Sequence, residues 1–198
     1  MKYLLPCVVI FLQGSLNAQP EISSQEKELR AAGNFSEFLN AVKKNSRENC
    51  LCKQNEHVIF SFRTPTKKLA SVCISKSVQL HSGFIIYRFG TMGKIELTYP
   101  DDTLNSFSKF QFSTYLRGGG QANAGMDLSH LAFSNNNFSY KLFDDYYSED
   151  ASRDQGITIS NNATGKESTI HASGKAVGHL SVFRHKNIVK PDKDDEAN

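Results

Sequence analysis

From residue 57 onward the apolar side chains recur at every second position, and Gly, Asn and Asp separate the runs. A strand turns successive side chains to opposite faces, so period-two patterning predicts half-buried strands. Val58, Phe60 and Phe62 share one face of a first strand, and residues 69–74 make a second. Residues 84–89 and 94–99 alternate around Gly90-Thr91-Met92-Gly93, which predicts a β-hairpin with a four-residue loop. Pro100 ends the second arm because it cannot donate to a ladder. Phe110, Phe112, Thr114 and Leu116 carry the alternation on, and Gly118-Gly119-Gly120 breaks it. Further strands are expected at 128–133, 137–143, 156–160, 168–172 and 177–184. Many short strands with turn signals between them predict a mainly β domain, an antiparallel β-sandwich or barrel. No repeat of fixed period supports a propeller or solenoid.

Residues 19–49 carry a helical pattern instead. Ser23-x-x-Glu26 and Asn34-x-x-Glu37 are capping-box patterns, and Gly33 between them is expected to end a short first helix. Phe35, Phe38, Leu39 and Val42 then fall on one helix face. Lys43 and Lys44 suit the negative end of the helix dipole.

The first 18 residues have the layout of a secretory signal peptide. Lys2 supplies a charge, residues 3–12 are apolar, and Ala18 offers a small residue at the cleavage point. The apolar run is shorter than the roughly 20 residues that span a bilayer. Cys7 lies inside it and Gln19 follows the cut, which is not a lipoprotein layout. The expected organisation is a signal peptide over 1–18, a helical segment over 19–49, a β domain over 50–186 and a charged tail over 187–198. The tail lacks apolar residues across 190–196 and is expected to be disordered. A mature chain of about 180 residues suits one domain with a core of its own. The expected location is periplasmic or secreted, with no stable membrane insertion after cleavage. The net charge of +3 falls to +2 once Lys2 leaves, and the basic residues do not cluster, so no nucleic-acid partner is expected.

Cleavage also removes Cys7, leaving Cys50, Cys52 and Cys73. An odd count in an oxidising compartment means one pair with a free thiol, or a bridge to another chain. Cys73 is the constant member, and Cys50 and Cys52 are both open to it. Closing a loop of about 20 residues stabilises by roughly 3 kcal/mol. The one-residue spacing of Cys50 and Cys52 is tighter than paired zinc ligands use, and no histidine pair completes a site. A structural disulfide is expected, with no metal and no cofactor.

Six histidines (His57, His81, His130, His171, His179 and His185) form neither HxH nor HExxH. Asp127-Leu128-Ser129-His130 holds the residue types of a catalytic triad, but triads assemble in space and no G-x-S-x-G elbow is present. It reads as a turn leading into a strand. Two other stretches supply the candidate contact residues. In residues 115–121 a glycine triplet including Gly119 lets a backbone approach closely, and Arg117 can offer a fork to a carboxylate. In residues 144–150 Tyr146 and Tyr147 stand among acids in an expected strand-end loop. Neither stretch fits a phosphate-binding or calcium-loop fingerprint. Three N-x-S/T triplets, at Asn34, Asn137 and Asn162, carry no weight in a chain this rich in Asn, Ser and Thr.

Lys67-Lys68-Leu69-Ala70-Ser71-Val72-Cys73, followed by Tyr87-Arg88-Phe89-Gly90 and Ile95-Glu96-Leu97, resembles a group of uncharacterised secreted bacterial proteins. In that group a K-x-x-S-V-C strand precedes a Y-R-F-G…E-L hairpin. The resemblance covers residues 59–100 and implies a bacterial, periplasmic setting without implying an activity. The group often carries a further cysteine just after an F-S pattern, where this chain has Phe62. Cys73 must then look upstream to Cys50 or Cys52, or stay free.

The leading functional expectation is a non-catalytic binding protein that holds a protein or small ligand in the envelope or outside the cell. An inhibitor of a hydrolase such as lysozyme is an alternative by fold-level analogy. A hydrolase assembled from residues around His130 or His179 is another.

Overall fold

The computed structural model describes residues 24–79, 82–120, 123–184, 186 and 188–191. The expected signal peptide, His81, His185 and residues 192–198 lie outside them. A helix, α1 (Ser24–Val42), leads into β1 (Glu56–Arg63), β2 (Leu69–Ser75), β3 (Ile85–Thr91) and β4 (Lys94–Tyr99). After a 3-10 turn at Ser106–Lys109 come β5 (Gln111–Arg117), β6 (Met126–Asn135), β7 (Phe138–Tyr147), β8 (Ser152–Asn161) and β9 (Glu167–His171). The chain ends with β10 (Val177–Gly178), a 3-10 turn at Leu180–Phe183, and β11 (Lys190–Pro191).

Two sheets form, in the orders β10-β1-β2-β3-β4 and β11-β5-β6-β7-β8-β9. They are separate, which makes the fold a sandwich rather than a closed barrel. Every ladder is antiparallel except β11 with β5, which is parallel. Alternation supplies the core. Phe60, Phe62, Ala70, Val72, Ile74, Ile85 and Tyr87 point inward from the smaller sheet, and Phe112, Leu131, Phe133, Leu142 and Ile157 from the larger. Phe133 sits at the centre of an aromatic stack, 4.4 Å from the Tyr99 ring and 4.8 Å from the Tyr140 ring. The helix closes one side with Phe35, Phe38 and Val42, as its apolar face predicts.

Several expectations need correction. The helix runs unbroken through Gly33, whose missing side chain would meet nothing within 4 Å. Packing of Phe35 and Phe38 outweighs the cost of about 1 kcal/mol for a helical glycine. Val58 does not share the face of Phe60 and Phe62, because a bulge between Val58 and Phe60 turns it towards Cys73. Asn45 secures the bulge by donating to the carbonyls of Val58 (2.8 Å) and Ile59 (3.2 Å). The β3–β4 turn is shorter than expected, with Met92-Gly93 between strands that reach Thr91 and Lys94. Gly90 has φ +144° at a second bulge, where a Cβ would lie 2.4 Å from the Lys94 oxygen. The strand expected over 177–184 is only Val177–Gly178 before the chain coils into its 3-10 turn. The tail expected to be disordered places its residues Lys190 and Pro191 beside Gln111 and Phe112.

Segment 46–55 straps the outer face of the smaller sheet. Cys52 bonds Cys73, with Cα atoms 5.5 Å apart, which decides between the two upstream cysteines. The Leu51 N–H donates to Ser71 Oγ at 2.9 Å, and Ser71 shares a 2.8 Å hydrogen bond with Ser61. Beneath the strap Arg88 grips Glu56 in two parallel contacts of 2.7 and 2.8 Å, with side chains 6% and 1% exposed. Glu56 also accepts from the Lys53 N–H at 2.7 Å. The strap is a disulfide-pinned polar seal on an otherwise apolar layer.

Candidate functional site

Strands β6, β7 and β8 have ten residues each, against six to eight in β1 to β4. At about 3.3 Å per residue the larger sheet outruns the smaller by roughly 10 Å. The inward rows record this. Phe112, Leu131, Leu142, Ile157 and Ile170 form one apolar row in register. The next row is Thr114, Ser129, Asp144 and Gln155, and the one beyond it is Leu116, Asp127, Tyr146 and Arg153. The inner face therefore turns polar at one end.

The C-terminal segment covers that polar end. Gly178 makes its entry possible: φ is +71°, and a Cβ there would stand 2.0 Å from the Ile59 oxygen. Leu180 and Phe183 then plug into the core, with Phe183 5.3 Å from the Phe38 ring and 5.6 Å from the Phe112 ring. Arg184 reaches across the polar rows. It donates from Nε to Thr114 Oγ1 at 3.0 Å and from Nη2 to Ser129 Oγ at 3.2 Å, and it pairs with Asp127.

Asp144 is the centre of the arrangement, and its side chain is 0% exposed. Oδ1 accepts from Arg153 Nη1 at 2.6 Å and from Gln155 Nε2 at 2.8 Å. Oδ2 accepts from the Leu180 N–H at 3.0 Å and lies 3.3 Å from His179 Nδ1. Burial alone would push this carboxyl up. The hydrogen bonds from His179, Arg153 and Gln155, with the Arg153 charge, outweigh it and hold the group below the usual carboxylate value. Arg153 also lies over the Tyr146 ring at 5.3 Å, a cation–π contact that fixes both side chains.

The four candidate contact residues meet at this same end. Arg117 pairs with Met126 across β5–β6, and Met126 pairs with Tyr147 across β6–β7. Arg117 is half-buried and donates from Nε to the Ala124 carbonyl at 3.0 Å, so it braces the glycine loop from within. Gly119 packs against Gly125, whose N–H donates to Ser148 Oγ at 2.6 Å. The acidic aromatic stretch is not a loop as far as Tyr147. Residues Asp144 to Tyr147 belong to β7, so Tyr146 faces inward under Arg153 and Tyr147 faces outward. Burial, and then Asp145 and Asp154, push the Tyr147 phenol above its usual value. Beside them Tyr115 and Leu116 are 51% and 62% exposed, on opposite faces of β5.

The triad residue types split between faces. Asp127 and Ser129 point inward to Arg184, whereas His130 points outward to Asp145. The described partners of His179 are Asp144 and Arg153, so the carboxylate orients its imidazole without a hydroxyl or thiol bonded to it. Sequence reasoning named Asp144 only within a longer acidic stretch, offered His179 as one centre for a hydrolase, and missed Arg153, Gln155 and Arg184. The available signal was parity: these strands carry polar residues where their own alternation calls for apolar ones. Cys52, Cys73 and Glu56 also cluster, but the sulfurs are spent on each other and Arg88 holds the carboxylate. Cys50 is buried, with Sγ 3.2 Å from the Arg47 carbonyl. The described residues contain no helix long and apolar enough to cross a membrane. Compared with protein-family models, curated proteins and solved structures, the chain matches none.

Proposed function

We propose that the chain is an exported, non-catalytic binding protein. Its contact surface is the overhanging end of the larger sheet, and its ligand is a protein or small molecule of the envelope or the exterior. One observation carries this reading. Tyr115 and Leu116, both large, apolar and exposed, stand beside Arg117, the Gly119 loop, Tyr147 and the stacked Tyr146–Arg153 pair. Aromatic residues and arginine gathered at one exposed sheet end, on both of its faces, have the composition of binding hot spots. The disulfide suits an oxidising compartment. The signal-peptide layout and the resemblance to secreted bacterial proteins support the same setting.

Affinity capture from the native envelope fraction tests the surface. The wild-type chain is compared with Leu116→Ala, Tyr115→Ala and Tyr146→Ala variants of unchanged melting temperature. The expected result is one or more species retained by the wild type and depleted at least about tenfold by each variant. Retention that ignores all three substitutions defeats the assignment of this surface.

A further inference from the structure

Lysines and arginines that are scattered along the sequence gather where α1, the strap and the first two strands meet. Asn45 donates to the carbonyls of Val58 and Ile59, which sets the end of α1 beside β1. Arg47 donates from Nη1 to the Glu56 carbonyl and from Nη2 to those of Lys53 (2.8 Å) and Cys52 (3.2 Å), so it stands at the start of β1. The Lys76 N–H donates to the Asn55 carbonyl at 2.8 Å, and His57 pairs with Ile74, so Lys76 leaves β2 at the same end. His57 reports the resulting field. Burial, and then the charges of Lys76, Lys43 and Arg47, push its imidazole below the usual value. Lys43, Lys44, Arg47, Lys53 and Lys76 are all exposed. Against them this region has Glu48 and Glu56, and Arg88 already neutralises Glu56. The described lysine ion pairs, Lys68–Glu96 and Lys186–Glu37, involve none of these lysines. The end of the α1 dipole returns only about half a negative charge. Five cations against Glu48 alone leave a local excess larger than the whole chain's net charge of +3.

We propose that this face docks the protein on a bilayer surface bearing anionic phospholipid headgroups. The chemistry of the face selects that occupant. Both terminal nitrogens of Arg47 are spent on carbonyls, so no free guanidinium fork remains to grip one phosphate or carboxylate bidentately. The lysines offer point charges on flexible stems, which suit a plane of many phosphates rather than a single bound group. Residues 43–57 contain no Phe, Tyr or Trp on which the bases of a single-stranded nucleic acid could stack. Cys50 and Leu51 are buried, so the strap presents no apolar anchor, and the contact is a reversible electrostatic one at the headgroups. The face shares no residue with the Tyr115–Leu116 contact surface, and either can hold without the other.

The test is flotation of the full-length protein with lipid vesicles. Phosphatidylcholine vesicles with about 30 mol% phosphatidylglycerol should bind it at least about tenfold more tightly than phosphatidylcholine alone, and NaCl at about 0.5 M should abolish the difference. The neutral vesicles also measure any binding by the apolar residues 3–12. A Lys43→Gln, Lys76→Gln double variant removes two exposed charges and leaves Arg47 to hold the strap. At roughly fivefold per charge it should weaken binding to the anionic vesicles about 25-fold, with an unchanged melting temperature. A Lys141→Gln, Lys166→Gln variant loses the same net charge from β7 and the β8–β9 turn, and should bind within about twofold of wild type. Equal losses in the two double variants overturn the proposal, because net charge rather than this face would then drive binding. So does equal binding to neutral and anionic vesicles, or retention on duplex DNA or polyglutamate that the anionic vesicles do not displace.

Discussion

Replacing Asp144 with Asn isolates what one buried carboxylate contributes. The carboxylate accepts from Arg153, Gln155 and the Leu180 N–H, and faces His179. Asn keeps one oxygen and turns an NH2 group towards donors. If the amide nitrogen faces Leu180, a buried main-chain N–H is orphaned. If it faces the other way, Gln155 and Arg153 lose their acceptor. Either orientation leaves a buried donor unsatisfied at about 1–3 kcal/mol and weakens a charge-assisted bond of similar size. A loss of roughly 2–4 kcal/mol is expected at pH 7, read by urea unfolding under far-UV circular dichroism. The pH dependence provides a second check. The folded-state pKa of Asp144 lies below its unfolded value. Its contribution is therefore full above the unfolded value of about 3.9 and is lost as pH falls through the folded value. Asn does not titrate, so the gap between the two proteins should hold steady down to about pH 5 and narrow below about pH 4. A variant within 0.5 kcal/mol of wild type at pH 7, or a gap that does not narrow in acid, would refute the reasoning.

The strap offers two further predictions. Glu56→Gln leaves Arg88 buried without its counter-charge and should cost about 3–5 kcal/mol, whereas Glu56→Leu combined with Arg88→Met should recover much of that loss in the same urea assay. Cys52→Ser opens a loop with a sequence separation of 21 and should cost about 3 kcal/mol. In the wild type, peptide mass spectrometry should find Cys50 inert to alkylation until the chain unfolds; rapid labelling of the folded protein would show that the strap does not bury it.

The strands were legible because each carries its own pattern. Val72, Ile74, Ile85 and Tyr87 alternate inward in sequence just as they do in the sandwich. The helix face of Phe35, Phe38 and Val42 was legible for the same reason. Features that depend on distant partners were not. The bulge that turns Val58 away requires Asn45 to hold its carbonyls, and nothing within β1 announces that bond. The helix runs on at Gly33 because core packing fixes the turns after it. Cys50 and Cys52 are equivalent by spacing, and the strap path separates them: Leu51 over Ser71 carries Cys52 on to Cys73. The acidic aromatic stretch reads as a loop by composition, yet its first half is strand because Asp144 finds four partners from β8 and the C-terminal segment.

The polar end of the larger sheet follows from unequal strand lengths. A strand longer than its partner sheet must expose its inner face, cover it, or make it polar. This chain does the last two together: polar residues occupy the overhanging rows, and residues 177–184 fold back over them. Leu180 and Phe183 anchor the cover in the apolar core, and charge-assisted bonds join it to the polar rows. Arg184 crosses to Asp127 and Ser129, and Asp144 receives the Leu180 N–H. Tyr146 and Arg153 lie at the edge of this seal and borrow their rigidity from it, since the Arg153 nitrogen that binds Asp144 also positions the guanidinium over the tyrosine ring. A contact surface built this way is preorganised, which lowers the entropy cost of meeting a partner. It also means that substitutions at Asp144 or Arg184 would weaken binding through the geometry of their neighbours, whereas substitutions at Leu116 or Tyr115 would act by direct contact. Stability and binding should therefore fall together for the first pair and separate for the second.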